Sequence, residues 1–581
     1  MSAEPTLVNK IQEVTPRDTV EVHLDDGRVL SGPRGTAIEA FFQALPEWND
    51  VPIVGAVINS ELRELTYPIT MDARARPIDT ANADGARIYR RSLTFLLEAA
   101  FDDLFREPVL VIDHSVSSGG YYCHVLDRDP LTQAEIDLLE KHMRELVKAD
   151  LPFQRRRVPL RVATELFEEK GEADKVRLMK YRRKDHLVLY QLGDHNNYHH
   201  GYMVPSSGYL KWFDLVPMGE GFILRYPRRH SPTKLLPIPE SPKLLATFQQ
   251  YGNWLSRLGI VSVGALNDAT RAGRIDEIVL VSEALHEQKI AEIATQIASL
   301  ANQARIVLIA GPSSSGKTTF SKRLSVQLLA HGVSPMPIEL DNYFIDRDKT
   351  PRDELGNLDY ETLKALNTQL LTEQMQRLIR GEEVQLPRYN FITGKSEQGD
   401  TVRLEKDQLI ILEGIHGLNP NLIPEIPAEY TFRLYVSALT QLNLDTHNRI
   451  STTDTRLIRR IVRDARERGY SARQTIERWE LVRRGEKRYI FPFQDNANEM
   501  FNSALVYEMS ALMSVAEPLL RQVPFGTPEY IEAKRLLAFL EWFLPVDPEF
   551  IPDNSILREF IGGSSLKEFH IWGSTGRAPI E

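Results

Sequence analysis

The chain opens with short apolar runs set between turns that carry Gly and Asp. In "TVEVHL" and "VPIVGAVIN" the apolar and β-branched residues suit strands, which predicts a small β-rich module over residues 1–80. From about residue 85 the period changes. "RRSLTFLLEAAFDDLF" carries apolar positions at helical spacing, and "PVLVIDHSV" returns to a strand. "LTQAEIDLLEKHMRELV" predicts an amphipathic helix, with Thr132 as N-cap and Glu135 three residues on. "HLVLYQL" and "GFILRYPRR" follow as strands, so residues 81–230 read as an α+β unit. The Pro-rich "HSPTKLLPIPESPK" marks a boundary, and a linker and helical segment over 231–300 leads into the apolar run "RIVLIA". Across 301–525 apolar strands alternate with helices, the pattern of a doubly wound α/β domain. In the tail, 526–581, "AKRLLAFLEWFLPV" predicts a further helix packed on that domain.

Composition narrows this picture modestly. A length of 581 residues is too great for one core and fits three or so domains. The net charge of −10 argues against wholesale nucleic-acid or membrane binding. A single cysteine, Cys123, excludes an internal disulfide and a Cys-rich zinc site, and suits a reducing compartment. The opening "MSAEPTLVNKIQEV" has no signal pattern, and no apolar run approaches the length of a membrane span, so the expectation is a soluble, cytoplasmic protein.

The chemistry begins at "GPSSSGKTTF", residues 311–320, directly after "RIVLIA". Gly311-x-x-x-x-Gly316-Lys317-Thr318 has the spacing of a phosphate-binding loop. Such a loop turns the backbone N–H groups of Ser313, Ser314, Ser315, Gly316 and Thr319 around phosphate oxygens. Lys317 then reaches the β/γ-phosphates, and the Thr318 hydroxyl binds Mg²⁺. The helix predicted from "TTFSKRLSVQLLA" sets its positive N-terminal end beneath the phosphates. "QLIILEGIHGL" supplies a second metal-binding group, Glu413, at the end of a buried-type strand. GTPases are disfavoured because no Asn-Lys-x-Asp motif occurs.

Transfer of a phosphoryl group to a hydroxyl needs a base. Asp341, ending the apolar run in "SPMPIELDNYF", is the candidate. In "DTRLIRRIVRDARERGY" Arg456, Arg459 or Arg460, Arg463 and Arg466 recur on one helical face. On pattern alone such a run is a solvated face, but guanidinium groups on a mobile helix can also close over phosphates.

These segments, with "LPRYNFITGK" and "EGIHGL", resemble the uridine/cytidine kinases and their phosphoribulokinase-like relatives across residues 305–480. The resemblance implies an ATP- and Mg²⁺-dependent P-loop kinase fold acting on a small-molecule nucleoside. Asp341 is then the base on the 5′-hydroxyl, Asp359 the ribose-binding carboxylate and Tyr389 a substrate-contacting ring. Arg460, Arg463 and Arg468 fall on the lid arginines that serve substrate and phosphates. This sequence departs from the family at several points. Asn390 stands in its "YDF", Gly394 replaces by count the histidine that contacts a pyrimidine, and Tyr470 and Arg478 occupy two further polar positions. Uridine or cytidine is the leading acceptor, with pantothenate, a sugar phosphate or another small alcohol open.

The first half carries a second resemblance. "DTVEVHLDDGRVL…INSELRELTYPI" is similar to a TGS domain, a β-grasp-like module of threonyl-tRNA synthetases. "DGARIYRRSLTFLLEAAFDDLF" through "YHHGYMVP" is similar to the editing domain that follows it there. Where that domain carries a His-x-x-x-His pair and a later Cys and His, this chain reads Arg91 and Phe95, then His199 and Met203. Arg and Phe cannot ligate a metal, so hydrolytic editing is not expected. His195, His199 and His200 retain ligand-like spacing, for which a satisfied structural role is the simpler reading. His114, Cys123 and His124 are expected to pack around a Gly turn. The fold class implied is multidomain: a doubly wound P-loop kinase domain preceded by a small β-grasp-like domain and an α+β domain. An RNA- or tRNA-binding protein with the kinase half as a nucleotide switch remains the alternative. Synthetase-like modules and the apolar tail also make a homodimer an expectation.

Overall fold

Val20, Val22 and Leu24 are buried on alternate positions of the strand Thr19–Leu24, as its two-residue period requires. That strand lies second in a five-stranded sheet. Val29–Pro33 pairs antiparallel on one side of it and Ala73–Asp79 parallel on the other, followed by Ile53–Ile58 and Glu61–Arg63. The short helix Ile38–Gln43 closes the core with Ile38, Phe41 and Phe42. The computed structural model describes residues 15–569 apart from 50, 106, 117–118, 238–241, 301–302, 354–355 and 441. The opening segment 1–14 and part of the Pro-rich boundary therefore lie outside the described residues.

The described residues divide into two compact units, one within 15–109, 125–157 and 188–237, the other within 110–124, 158–187 and 242–569. In the first unit a long helix, Ala83–Leu104, starts where Asn82 accepts a hydrogen bond from the Asp84 N–H. The helix Gln133–Ala149 begins at Thr132, and the full capping box with Glu135 is present.

The second unit is built on a five-stranded, wholly parallel sheet. Its strands in chain order are β1 (Ile306–Ala310), β2 (Ser334–Glu339), β3 (Gln408–Glu413), β4 (Thr431–Ser437) and β5 (Glu499–Asn502). Their spatial order is β2-β3-β1-β4-β5. All five residues of β1 are buried, which explains its unbroken apolar run: a central parallel strand is covered on both faces. The register sets Ile309 and Glu339 each opposite Glu413, so the C-terminal ends of three strands finish at one level. Ligands of open parallel sheets bind at that edge.

Two segments that read as part of the synthetase-like region belong to this second unit. The Ile112 N–H donates to Thr446 O at 2.8 Å, and the fully buried Lys175 lies 2.9 Å from His447 Nδ1. His114 stacks on Phe248 with ring centroids 4.0 Å apart, and Cys123 is buried, the packing role expected of them. Among the described residues no helix is long and apolar enough to cross a membrane.

Candidate active site

The loop after β1 has a shape only these residues allow. A Cβ on Gly311 would stand 2.0 Å from Val436 O, so the chain crosses β4 too closely for any side chain. Ser314 and Gly316 both have left-handed backbone, φ 58° and 82°, which curls the intervening amides inward into an anion-binding concavity. The helix α1 (Lys317–Ala330) starts immediately afterwards. Ser314 Oγ and Ser315 Oγ are buried without a hydrogen-bond partner among the described residues. Buried hydroxyls without partners mark a place built for a ligand, and this donor set fits phosphate oxygens.

Thr318 Oγ1 donates to Glu413 Oε1 at 3.0 Å. This hydroxyl and carboxylate, at the mouth of the loop, form a donor set suited to Mg²⁺. Burial, chiefly, with Glu559 and Glu339 nearby, pushes the Glu413 carboxyl up to about 7 against the pull of Lys317 and Thr318. Burial likewise lowers the Lys317 ammonium, while Glu413, Glu559 and Asp341 hold it up. Asp341 sits in the 3-10 turn Leu340–Tyr343, two residues past the end of β2. Burial and Glu339 raise its carboxyl, and Lys317 and Arg468 oppose them. The candidate base thus stands within electrostatic reach of the loop lysine and a lid arginine, although β3 separates β2 from β1 in the sheet.

The arginine helix α2 (Thr452–Glu467) corrects one expectation. Arg456 and Arg459, read as part of one face closing over phosphates, are 1% and 0% exposed and engaged in the core. Arg456 Nε donates to Ser313 O at 2.9 Å and its Nη2 pairs with Glu486. Arg459 Nε donates to Glu508 Oε2 at 2.9 Å. Both arginines brace the back of the loop, since buried guanidinium groups need buried carboxylates. Arg460, Arg463 and Arg468 converge instead on the buried Asp464, at 3.2, 3.0 and 3.4 Å. Arg460 Nη1 also donates to Ser313 Oγ at 2.5 Å. Asp464, unremarked in the sequence, is the hub that gathers the three arginines expected to form a lid. Arg466 points elsewhere, donating to Glu559 O at 2.8 Å.

Of the residues expected to bind substrate, Asp359 accepts through Oδ2 from the Tyr489 hydroxyl at 3.1 Å, at the end of helix α3 (Ala472–Tyr489). Tyr389 is packed edge-on against Phe344 and Phe391, at 5.5 and 5.0 Å. Its N–H lies 3.4 Å from the side chain of Asn342, beside Asp341. Glu361 is a residue that the sequence did not flag. Its carboxyl is pushed up to about 7, first by burial, then by Asp341 and Asp359 against the pull of Arg460. A signal existed two residues from Asp359, but nothing local marks which carboxylate of "LDYET" turns inward. Gly485 makes room for it: a Cβ there would lie 2.6 Å from Glu361 Cβ and Cγ.

The departures from the kinase pattern have structural counterparts. Gly394 turns with φ 71°, and the space a side chain would need is filled by Arg347, 2.7 Å from such a Cβ. Arg478 lies over the Tyr470 ring at 4.5 Å, so the two altered lid positions pack on each other.

In the first unit, Arg91 Nη1 donates to Tyr202 O at 2.7 Å, and the Phe95 ring lies 5.2 and 5.4 Å from His195 and His199. His195 faces Asp102 at 2.9 Å and His199 faces the buried Glu98 at 3.3 Å, while Met203 is buried. Among the described residues no cluster of His, Cys, Asp and Glu could hold a metal ion.

The parallel sheet with its loop, lysine and metal-suited pair defines a P-loop kinase fold of the small-molecule phosphotransferase type. Residues 306–509 match the model of the Phosphoribulokinase / Uridine kinase family. The N-terminal region is similar to threonine–tRNA ligases. The enzyme of Syntrophotalea carbinolica is 32% identical over 204 residues, 35% of this chain and 32% of that protein. That of Desulforamulus reducens is 26% identical over the same length. The chain spans about a third of the length of these curated relatives. The solved "Possible Uridine Kinase from Bacillus stearothermophilus" is 25% identical, covering 26% of this chain and 79% of that one, with a TM-score of 0.22.

Proposed function

We propose that the protein transfers the γ-phosphate of ATP to a hydroxyl of a small molecule, with the 5′-hydroxyl of a nucleoside such as uridine or cytidine as leading acceptor. The observation that carries this reading is the convergence of Lys317, Asp341, the Thr318–Glu413 pair and the Asp464-bound arginines on one loop. Amides 313–319 would bind the phosphates and Lys317 would follow the charge that develops on the γ-phosphoryl group. Thr318 and Glu413 would hold Mg²⁺, which neutralises phosphate charge when bound. Asp341 accepts the acceptor's hydroxyl proton, Asp359 and Glu361 orient its remaining hydroxyls, and Arg460, Arg463 and Arg468 exclude water.

One observation favours a wider acceptor range. At the position where uridine kinases carry a base-contacting histidine, Gly394 and Arg347 leave a cation beside Tyr389 instead of an imidazole. Transfer of labelled γ-phosphate across nucleosides, sugars, sugar phosphates and pantothenate tests both readings. Labelling of uridine or cytidine with the highest kcat/KM supports the nucleoside. Labelling of another alcohol alone moves the acceptor, and labelling of none removes the kinase assignment. For the synthetase-like half, the support for a fold that has lost its editing chemistry is Arg91 and Phe95 standing where metal ligands would be.

A further inference from the structure

The phosphate-binding loop is covered by a segment of its own chain, and the contact is made by a carboxylate. Glu559, in the short helix Arg558–Ile561, accepts hydrogen bonds from the Thr319 N–H at 3.2 Å and from Thr319 Oγ1 at 3.0 Å. The two atoms belong to the first turn of α1, where amides that cradle nucleotide phosphates are found. The same carboxylate lies within electrostatic reach of Lys317 and Glu413. A carboxylate on an oriented N–H and a hydroxyl, close to the loop lysine, reproduces the charge and acceptor geometry of a phosphate oxygen.

The segment is held at several points. Ile556, Leu557 and Phe560 are buried, and Ile556 lies against the loop glycine, 2.5 Å from where a Cβ on Gly316 would be. The Arg459 guanidinium rests over the Phe560 ring at 5.0 Å. Lys322 Nζ, on α1, donates to Leu566 O at 2.7 Å and Lys567 O at 3.1 Å. Arg466 Nη2, on the lid helix, donates to Glu559 O at 2.8 Å. The segment therefore ties the lid helix to the loop.

We propose that residues 555–567 are an autoinhibitory strap in which Glu559 occupies the phosphate-binding groups of Thr319 and must lift before a nucleoside triphosphate seats. This rests on the reading of the loop as a nucleotide site. A triphosphate on the loop would compete for the Thr319 N–H and bring negative charge against Glu559 and Glu413 together, so the closed strap and the bound nucleotide exclude each other. Binding is then weakened by the fraction of molecules whose strap is open. Because Arg466 shares the strap with the lid helix, lifting it also frees the arginine helix to move.

The test uses the full chain and Mg²⁺ with the non-hydrolysable adenylyl imidodiphosphate, followed by calorimetry. Glu559→Gln keeps shape and removes charge, and is expected to bind the nucleotide about three- to tenfold more tightly than wild type. In the wild-type protein, hydrogen exchange of amides 555–567 is expected to speed up when nucleotide binds. That readout needs no variant to fold. Equal or weaker binding by Glu559→Gln, or slower exchange in the strap on binding, overturns the proposal. Wild-type binding that Lys317→Ala abolishes but Glu559→Gln leaves unchanged sinks the strap alone. No binding by any form sinks the nucleotide reading and the strap together.

Discussion

Thr318 Oγ1, in the first turn of α1, and Glu413 Oε1, at the end of β3, meet at 3.0 Å across 95 residues of chain. The pair explains why a strand of four apolar residues ending in Glu is placed beside a phosphate loop: the register sets the carboxylate at the end of β1, next to the start of α1. Glu413→Gln removes charge without changing shape. The Mg²⁺ concentration for half-maximal transfer is expected to rise by at least about tenfold, read from metal titrations at saturating ATP.

Asp341 is open to solvent but set among protein groups that raise its proton affinity, against the pull of Lys317 and Arg468. Asp341→Asn is expected to lower phosphoryl transfer by about 10²- to 10⁴-fold while nucleotide affinity stays within about twofold of wild type. Calorimetry and rapid-quench transfer measure the two arms separately. Retained turnover would take Asp341 out of the role of base.

Glu361 lies within electrostatic reach of Arg460, Asp341 and Asp359, and in the proposed function it orients the acceptor. Glu361→Gln is expected to raise the acceptor KM by about tenfold, the effect of one hydrogen bond to a charged group. The KM for ATP should move by less than about twofold. Equal shifts in both would mean a general loss of structure.

Arg459 and Glu508 form a buried pair behind the loop. Arg459→Met strands the carboxylate and is expected to lower unfolding free energy by about 3–5 kcal/mol. Arg459→Met with Glu508→Leu should recover most of that. Urea midpoints of the two variants decide whether Arg459 is a structural brace or a lid residue.

His286 is buried against Phe501 with Nε2 3.2 Å from Ala504 O, and burial lowers its pKa to about 3 from 6.5. Its folded pKa is depressed, so the stabilisation is complete above the unfolded value and is lost as pH falls from about 6.5 towards 3. Glu361 and Glu413, raised to about 7, act in the opposite sense. The difference between wild type and His286→Gln isolates the histidine. That difference in unfolding free energy is expected to shift by about 2 kcal/mol between pH 7 and pH 5, against the wild type. A flat difference would mean that the imidazole is solvated.

What was legible in the residues was local or strictly patterned. The capping box at Thr132 and Glu135, the apolar strand and glycine spacing around Lys317, and strand-terminal Glu413 follow from backbone sterics and the periods of helix and strand, which act within a few residues. The arginine helix was visible as charge at helical spacing, but spacing cannot say which side of a helix meets the core. Arg456 and Arg459 are buried because Glu486 and Glu508 wait 30 and 49 residues away, and Arg460 and Arg463 face the site because Asp464 holds them there. Glu361 and Glu559 stayed hidden for the same reason. A carboxylate's role depends on what surrounds it, and the surroundings of Glu559 are assembled from a helix turn 240 residues earlier. Short-range geometry was therefore set by the chain alone, whereas the pairing of buried charges was decided only when the folded structure chose their neighbours.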